Sequence, residues 1–251
     1  MRFIKFIVFL LVLFCAAFFW AGGKIPVPKA IATGIDATVD TVRSIHSFID
    51  FKSTVNSKLK RDHYVSLADI PLTMQQAIIA VEDRRFYNHW GFDIEGILRA
   101  TLVNLQNGTW EEGGSTITQQ LAKNLFLSPD RTLVRKAQEL ALALLFESIY
   151  TKEEILEMYL NTIYFGAGAY GIGEAAEVYF GKQPKDLSLA EAALLAGLPQ
   201  APSIYSPYAD LAAARERQAV VLAAMVRQGI IGPGQAKAAQ AAPLAFAKRV
   251  Q

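Results

Sequence analysis

The sequence EDRRFYNHWG at residues 82–91 opens the part of the chain that decides its fold and its chemistry. GGSTITQQLAKN follows at residues 113–124, and RKAQE at residues 135–139. Together these segments supply carboxylates, hydroxyl groups, amides and several cations. A reaction in which one carboxylate moves a proton while cations stabilise a leaving anion would use such a set, whereas helix packing alone would not need it.

Glu82 is the strongest candidate for a catalytic group in these segments. It follows Ile78 by four residues and Ile79 by three, so on a helix it shares a face with apolar side chains. Apolar surroundings raise the pKa of a carboxyl group, which suits a general base or acid near neutral pH. A surface ion pair with Arg85 is the alternative. His89 is more typical of packing or hydrogen bonding, because the chain has no metal-binding histidine spacing.

The second segment predicts an anion site at the start of a helix. The glycine pair 113–114 forms a flexible loop, after which Ser115 and Thr116 bring hydroxyl groups to the free amides of the helix N-terminus. Lys123 lies two turns along, on the face shared with Thr116 and Gln120. We therefore expect an anionic ligand to bind at this helix.

Cations open the next helix, where the helix dipole alone disfavours them: Arg131, Arg135 and Lys136. This local cost indicates an anion or a carboxylate nearby, and Glu139 is within reach of Arg135 and Lys136. A self-contained network of salt bridges is the alternative. The residues alone leave both interpretations open.

Apolar periodicity and helix start signals predict a mainly α-helical domain. Helices are expected near residues 74–88, 116–127, 132–150, 152–161, 189–197 and 210–228. Capping boxes are expected at Thr73 with Gln76, Thr151 with Glu154, and Ser188 with Glu191. The best strand candidate covers residues 162–165. The alanine-rich segment 209–228 carries no obvious chemistry, so a solvated closing helix is predicted there.

The sequence GAGAYG at residues 166–171 matches the pattern G-x-G-x-x-G, but it does not predict a dinucleotide site. A capped helix precedes it with only a short strand candidate between, and no second parallel strand follows at the right distance. We therefore interpret these glycines as a tight loop.

The composition narrows the classes of function. The 251 residues can bury a sizeable core, and the net charge of +2 gives no indication of a nucleic-acid partner. Cys15 is the only cysteine, and it lies in an apolar segment. Disulfides, zinc–cysteine sites and thiol catalysis in the folded domain are therefore excluded.

Residues 6–21 form an unbroken apolar run, with Arg2 and Lys5 before it and Lys24 after it. This pattern predicts a transmembrane anchor at residues 1–23, with the N-terminus inside the cell. A cleaved signal peptide is the alternative, although aromatic residues occupy the place of a cleavage site. Residues 24–63 are expected to form a stalk with the spacing of an amphipathic helix, and residues 64–251 the folded domain.

The quoted segments resemble the motifs of the peptidoglycan glycosyltransferases, glycosyltransferase family 51. The first motif, E-D-x-x-F-x-x-H-x-G, is matched by Glu82, Asp83, Phe86, His89 and Gly91. The second is matched by Gly113 and residues 115–120, the third by Arg135, Lys136 and Glu139, and the fourth by residues 152–161. Four long motifs in order make this resemblance highly specific, and it covers about residues 64–230.

The resemblance implies a lysozyme-like helical fold, with a head lobe that holds Glu82 and a smaller membrane-associated lobe around residues 102–147. It also implies polymerisation of lipid II into β-1,4-linked glycan strands on the outer face of the bacterial cytoplasmic membrane. Class A penicillin-binding proteins carry such a domain ahead of a transpeptidase domain. Because this chain ends at Gln251, a monofunctional transglycosylase is expected.

The family's roles carry over to matching positions. Glu82 is implied as the base that activates the acceptor 4-hydroxyl, and Glu139 as the second catalytic carboxylate. The implied substrate-binding residues are Asp83, Phe86, His89, Ser115, Thr116, Gln120, Lys123, Arg131, Arg135 and Lys136. No protein metal ligand and no obligatory cofactor are implied, although the resemblance allows a divalent cation, Mg²⁺ or Mn²⁺, that bridges the substrate pyrophosphate.

The implied partners are lipid II, the lipid-linked glycan strand, the cytoplasmic membrane and other cell-wall synthesis proteins. A lytic hydrolase is the alternative enzyme, since a buried glutamate can also protonate a glycosidic oxygen. The cation cluster favours transfer, because a neutral sugar leaving group does not need cations. A membrane-tethered scaffold without catalytic activity is a third interpretation, and the presence of Glu82 and Glu139 argues against it.

Overall fold

The computed structural model describes residues 50–96, 114–128 and 133–247. The predicted anchor at residues 1–23 lies outside these ranges, as do Gly113 and Arg131. Within the described ranges, no helix combines the length and the apolar character needed to cross a membrane.

Helices dominate the described residues, which confirms the mainly α-helical prediction. In chain order they are α1 at residues 50–58, α2 Leu72–Glu82, α3 Ile117–Phe126, α4 Leu133–Ile149, α5 Lys152–Thr162, α6 Ile172–Phe180, α7 Leu189–Gly197, α8 Pro202–Tyr205, α9 Leu211–Arg227 and α10 Pro233–Ala241. Strands β1 Tyr164–Gly166 and β2 Ala169–Tyr170 lie between α5 and α6.

Two of the three predicted capping boxes are present. The Thr151 hydroxyl accepts a hydrogen bond from Glu154 N (3.2 Å), and Ser188 accepts one from Glu191 N (3.3 Å). Each glutamate reaches back to the amide of its N-cap residue, at 2.8 Å in both cases. These reciprocal bonds satisfy amides that the first helical turn leaves free, so α5 and α7 begin where the sequence predicts.

The start and end predicted for α2 were wrong. The helix begins at Leu72 with Pro71 as its N-cap and without a capping side chain, so Thr73 does not cap it. It ends at Glu82 and not near residue 88, because Asp83 leaves helical geometry with φ −154°. A separate 3₁₀ turn then covers Phe86–Asn88. Glu82 is therefore the last residue of its helix.

Three helices were not predicted from the sequence: α6, α10 and the single turn α8. Helix α6 follows Gly171, which has φ +86° and offers no side-chain cap, so a polar start signal is absent from the sequence there. Helix α10 begins at Pro233 and consists mostly of small and polar residues, which give little apolar periodicity.

Helix α7 forms the centre of the head. Its residues 190–197 are all buried, and it packs between α2 and α9. A helix that is apolar on every side must be enclosed by neighbours. Met74 and Ile78 of α2 and Val221 of α9 belong to the same buried core. This packing brings the C-terminal end of α2 next to α9.

The fourth motif attaches residues 64–67 to α5. The Asn161 side chain donates to Val65 O and accepts from Val65 N, both at 2.8 Å. Glu157 accepts from the Tyr64 hydroxyl at 3.0 Å and from Leu67 N at 2.7 Å.

The buried side chains of Val55 and Leu59 extend the core to α1. The core therefore includes residues that the sequence analysis assigned to the stalk.

The glycine-rich segment 166–171 is a tight loop, as predicted. Its residues 167–168 connect β1 to β2, which pair antiparallel with Tyr164 opposite Tyr170. Such a hairpin is not the parallel β–α–β unit of a dinucleotide site. Gly171 leaves this loop with φ +86°, and a Cβ there would lie 2.6 Å from Asn161 O.

Gly171→Ala should destabilise the fold more than Gly168→Ala. Both positions have φ near +85°, where an alanine costs roughly 1–2 kcal/mol. Only at Gly171 does the added methyl group also meet backbone, which adds roughly 1–3 kcal/mol, whereas nothing lies within 4 Å at Gly168. Urea unfolding of both variants measures the difference, and equal losses would contradict this account of the hairpin.

Candidate active site

The Glu82 carboxylate is held by an amide from α3. Gln120 Nε2 donates a hydrogen bond of 2.8 Å to Glu82 Oε2. The carbonyl end of the same amide, Gln120 Oε1, accepts from the Tyr159 hydroxyl at 3.1 Å. Three elements, α2, α3 and α5, therefore meet in one chain of hydrogen bonds that ends on the carboxylate.

Burial raises the pKa of Glu82, as the apolar neighbours in the sequence predict. The hydrogen bond from Gln120 opposes this rise, and so do the positive charges of Arg217 and Lys123. The predicted alternative, an ion pair between Glu82 and Arg85, was wrong. The Arg85 guanidinium instead contacts Asp93 and Glu95.

Arg217 is a site residue that the sequence analysis missed. It lies on α9, which was expected to be a solvated helix without chemistry, and its charge is close enough to lower the pKa of Glu82. A signal was available, because Arg217 lies between Ala214 and Val221 at helical spacing, on the buried face of α9. A cation on the buried face of a helix needs an anionic partner nearby.

Arg217 extends towards Glu82 from α9, at a point where α9 packs closely against α7. The Arg217 Nε donates to Gly197 O (3.3 Å) at the C-terminal end of α7, where the helix dipole favours a cation. A Cβ at Gly197 would lie 2.8 Å from Arg217 Cγ, so glycine leaves room for the arginine stem. Burial lowers the pKa of Arg217, and the charge of Glu82 opposes that effect.

Asp83 connects the first and second motifs. Its carboxylate accepts a hydrogen bond from Ile117 N at 3.0 Å and lies 2.9 Å from His89 Nε2. Thr116, the N-cap of α3, donates to Gly91 O at 2.8 Å and accepts from Gln119 N. The substrate contacts of Asp83, His89 and Thr116 remain predictions. In the structure Asp83 and His89 contact each other, and Asp83 and Thr116 each bond to the backbone of the other motif.

The capping box at Thr116 and Gln119 was not predicted, although its spacing is present in the sequence. Gln119 Oε1 accepts from Thr116 N at 3.0 Å, and Thr116 accepts from Gln119 N at 3.1 Å. From the sequence, the Thr116 hydroxyl was predicted to bind a ligand. In the structure that hydroxyl satisfies a free amide of α3 and thus fixes where the helix begins.

Phe86 is fully buried, and its ring lies beneath a cation. Lys152 Nζ is 4.5 Å from the ring centroid and donates to Glu147 Oε1 at 2.7 Å. The Thr118 hydroxyl donates to the same oxygen at 2.6 Å. This cluster joins α3, α4 and α5, so the geometry gives Phe86 a packing position.

The third motif forms its own cluster beside the start of α3. The Glu139 side chain is almost fully buried and accepts from Arg135 and from Lys136 Nζ, the latter at 2.8 Å. Lys136 Nζ also donates to Ser115 Oγ at 2.8 Å. The predicted approach of Glu139 to both cations is therefore confirmed, and Ser115 of the second motif joins them.

Two further groups stand out among the predicted residues. Glu82, Gln120 and Lys123 lie together, and Ser115, Arg135, Lys136 and Glu139 lie together; Arg131 is outside the described residues. Across residues 50–96, 114–128 and 133–247, no cluster of three or more His, Cys, Asp or Glu side chains could hold a metal ion. A divalent cation carried by the pyrophosphate of a substrate remains a prediction.

Comparisons with known proteins agree with these motifs. The family model described as Transglycosylase matches residues 50–226. Penicillin-binding protein 1A of Aquifex aeolicus (strain VF5) is 48% identical over 190 residues, which cover 76% of this chain and 26% of that protein. Penicillin-binding protein 1A of Escherichia coli (strain K12) is 44% identical over 238 residues, or 92% of this chain and 28% of that protein.

A crystal structure of penicillin-binding protein 1A from Haemophilus influenzae is 28% identical, with a TM-score of 0.47, over 76% of this chain and 19% of that one. The chain thus spans between 26% and 28% of the length of the two curated relatives described above. The family model nevertheless covers most of the chain. The chain therefore belongs to the transglycosylase family, glycosyltransferase family 51, and carries a domain that resembles the one in class A penicillin-binding proteins.

Proposed function

We propose that this domain is a peptidoglycan glycosyltransferase that polymerises lipid II into β-1,4-linked glycan strands. One observation carries the proposal. Glu82, a carboxylate with a raised pKa, accepts a hydrogen bond from Gln120 and lies within the electrostatic range of Lys123 and Arg217. A base beside cations suits a reaction that takes a proton from a hydroxyl group and releases an anion.

In the proposed reaction, Glu82 takes the proton from the 4-hydroxyl of N-acetylglucosamine on the acceptor lipid II. The acceptor oxygen forms a bond to the anomeric carbon of the donor's N-acetylmuramic acid. The bond from that carbon to the pyrophosphate oxygen breaks, and undecaprenyl pyrophosphate leaves with inversion from α to β. In this reaction the growing lipid-linked chain is the donor and lipid II is the acceptor.

The cations have two tasks in this mechanism. Arg217 and the Gln120 amide stabilise the ionised form of Glu82 before it takes the proton. Lys123, on the same helix as Gln120, is placed to stabilise the charge that develops on the pyrophosphate. A preorganised cation contributes to catalysis because it needs no rearrangement when the charge appears.

The third motif supports the pyrophosphate from the other side of α3. Glu139 is too well paired with Arg135 and Lys136 to act as a free base, and we assign it the task of orienting these cations. Lys136 is solvent-exposed and already reaches Ser115, so both can turn towards an anionic ligand. Arg131 is expected to add to this group.

The finer predictions of fold and location belong to this proposal. A lysozyme-like head holds Glu82, a smaller lobe around residues 102–147 associates with the membrane, and a transmembrane helix at residues 1–23 anchors the domain on the outer face. Lipid II, the lipid-linked strand and other cell-wall synthesis proteins are the proposed partners. A Mg²⁺ or Mn²⁺ ion would be held by the substrate, since the groups around Glu82 are largely cationic.

Glu82→Gln should reduce lipid II polymerisation by about 100- to 10,000-fold, the usual contribution of a general base. The variant keeps the side-chain shape and removes the proton acceptor. Initial rates with labelled lipid II measure the effect, and circular dichroism checks the fold. Glu177→Gln changes an exposed glutamate of α6 and should leave the rate unchanged. A folded Glu82→Gln variant with a near wild-type rate would exclude Glu82 as the base.

The stability of Glu82→Gln should depend on pH in a defined direction. Because burial raises the pKa of Glu82 above its ordinary value of 4.5, the folded protein binds this proton more tightly than the unfolded chain. Wild type therefore loses stability as the pH rises from 4.5 through the folded pKa, whereas neutral glutamine does not. We expect a higher Tm for the variant at about pH 8, and a smaller difference at about pH 4.

That comparison uses Glu177→Gln as the control, whose Tm difference from wild type should not change with pH. A Tm advantage of Glu82→Gln that grew towards low pH would contradict the raised pKa of Glu82.

Lys123→Ala should lower kcat/KM for the lipid-linked donor by about 100- to 1,000-fold, with little change in Tm. The cation is partly exposed on α3, so its loss removes charge stabilisation and little packing. Lys237→Ala on α10 is a matched control at an exposed position, and its activity should equal wild type. A lower Tm together with unchanged turnover would instead assign Lys123 to a structural salt-bridge network.

A further inference from the structure

Tyr159 lies behind the Glu82 carboxylate and is fully buried on α5. Its hydroxyl donates to Gln120 Oε1 at 3.1 Å, and the other end of that amide donates to Glu82 Oε2 at 2.8 Å. Among the described residues, the Tyr159 hydroxyl forms its hydrogen bond with Gln120. Tyr159 is therefore one residue removed from the group that reacts.

A glutamine side chain has two ends of similar shape and opposite hydrogen-bonding character. Its NH₂ group only donates and its oxygen only accepts, so its neighbours decide which end faces which way. With the Gln120 oxygen towards Glu82, two acceptors would face each other, unless the carboxyl group were protonated. With the NH₂ group towards Glu82, the ionised carboxylate is stabilised.

We propose that Tyr159 is a positioning residue, whose hydroxyl holds the Gln120 oxygen and thereby turns the NH₂ group of that amide towards Glu82. This inference rests on the proposed function, since it assigns the base its correct partner. Burial raises the pKa of Tyr159 well above its ordinary value, so the hydroxyl keeps its proton and remains a donor. The hydroxyl could also accept a hydrogen bond, but with the Gln120 NH₂ group turned towards it the buried phenol proton would have no acceptor among the described residues, which favours the observed orientation.

Other charged groups around Glu82 come from different elements and do not depend on Tyr159. Arg217 approaches from α9, Lys123 from α3, and Asp83 follows Glu82 in the chain. Removal of the Tyr159 hydroxyl leaves all three in place. A change in the proton affinity of Glu82 in that variant can therefore be assigned to the amide.

Tyr159→Phe is the direct test, because it removes one oxygen and keeps the ring. We expect the pKa of Glu82 to rise by about one unit, a tenfold gain in proton affinity, as the amide becomes free to turn. Carbon-13 NMR of the full chain with labelled glutamate carboxyl groups measures this pKa, and the signal lost in Glu82→Gln identifies Glu82. The acid limb of kcat/KM should move to higher pH by the same amount.

Tyr179→Phe is the matched control, since Tyr179 is also fully buried and its hydroxyl donates to Phe165 O at 3.0 Å. Its loss should lower stability without moving the Glu82 titration. An unchanged Glu82 pKa in folded Tyr159→Phe would overturn the inference, whatever happened to activity or Tm. If Tyr159→Phe did not fold, Gln120→Met would test the same link, and an unchanged Glu82 pKa there would overturn it as well.

The NMR titration separates this inference from the proposed function, because it needs no substrate. A shifted Glu82 pKa in a protein that does not polymerise lipid II would support the role of Tyr159 and refute the function. Polymerisation by wild type together with an unshifted Glu82 pKa in Tyr159→Phe would support the proposed function and refute the role of Tyr159. A double variant, Gln120→Met with Tyr159→Phe, should show no shift beyond that of Gln120→Met, and an additive shift would contradict the relay.

Discussion

The geometry of the site depends on the hydrogen bond between the Asp83 carboxylate and the first amide of α3, at 3.0 Å from Ile117 N. A carboxylate at a helix N-terminus satisfies a free amide and also interacts favourably with the helix dipole. Because Glu82 precedes Asp83, this one contact fixes the distance between the end of α2 and the side chains of α3. Gln120, one turn into α3, then reaches Glu82 at 2.8 Å.

Around Glu82, two opposing effects set the proton affinity of the base. Burial favours the neutral acid, while Gln120, Arg217 and Lys123 favour the carboxylate. Burial is the larger effect, so the carboxylate is held in surroundings that destabilise it in the absence of substrate. Proteins commonly retain such local cost at functional sites, where a different residue would give a more stable fold. Lys123, one of these cations, then faces the anion that leaves in the proposed reaction.

Sequence patterns predicted what depends on local spacing, and failed where distant contacts decide. The starts of α5 and α7 were predictable because Thr151 and Ser188 each lie three residues from a glutamate. The end of α2 was not, since it depends on Asp83 binding a helix far along the chain. Arg217 was missed for the same reason: its partner lies in another helix, and Gly197 of a third helix makes room for it. The motifs identified the candidate residues, whereas the structure separates those beside Glu82 from those that hold α3 in place.

In the proposed function, the Glu82 site transfers sugar from a pyrophosphate donor and does not hydrolyse a finished glycan. Identification of the products formed by the full chain in detergent from labelled lipid II distinguishes these two reactions. We predict a polymer that lysozyme digests to disaccharide units, together with release of undecaprenyl pyrophosphate. Soluble muropeptides released from isolated cell walls, with lipid II left unconsumed, would show that the site is a hydrolase.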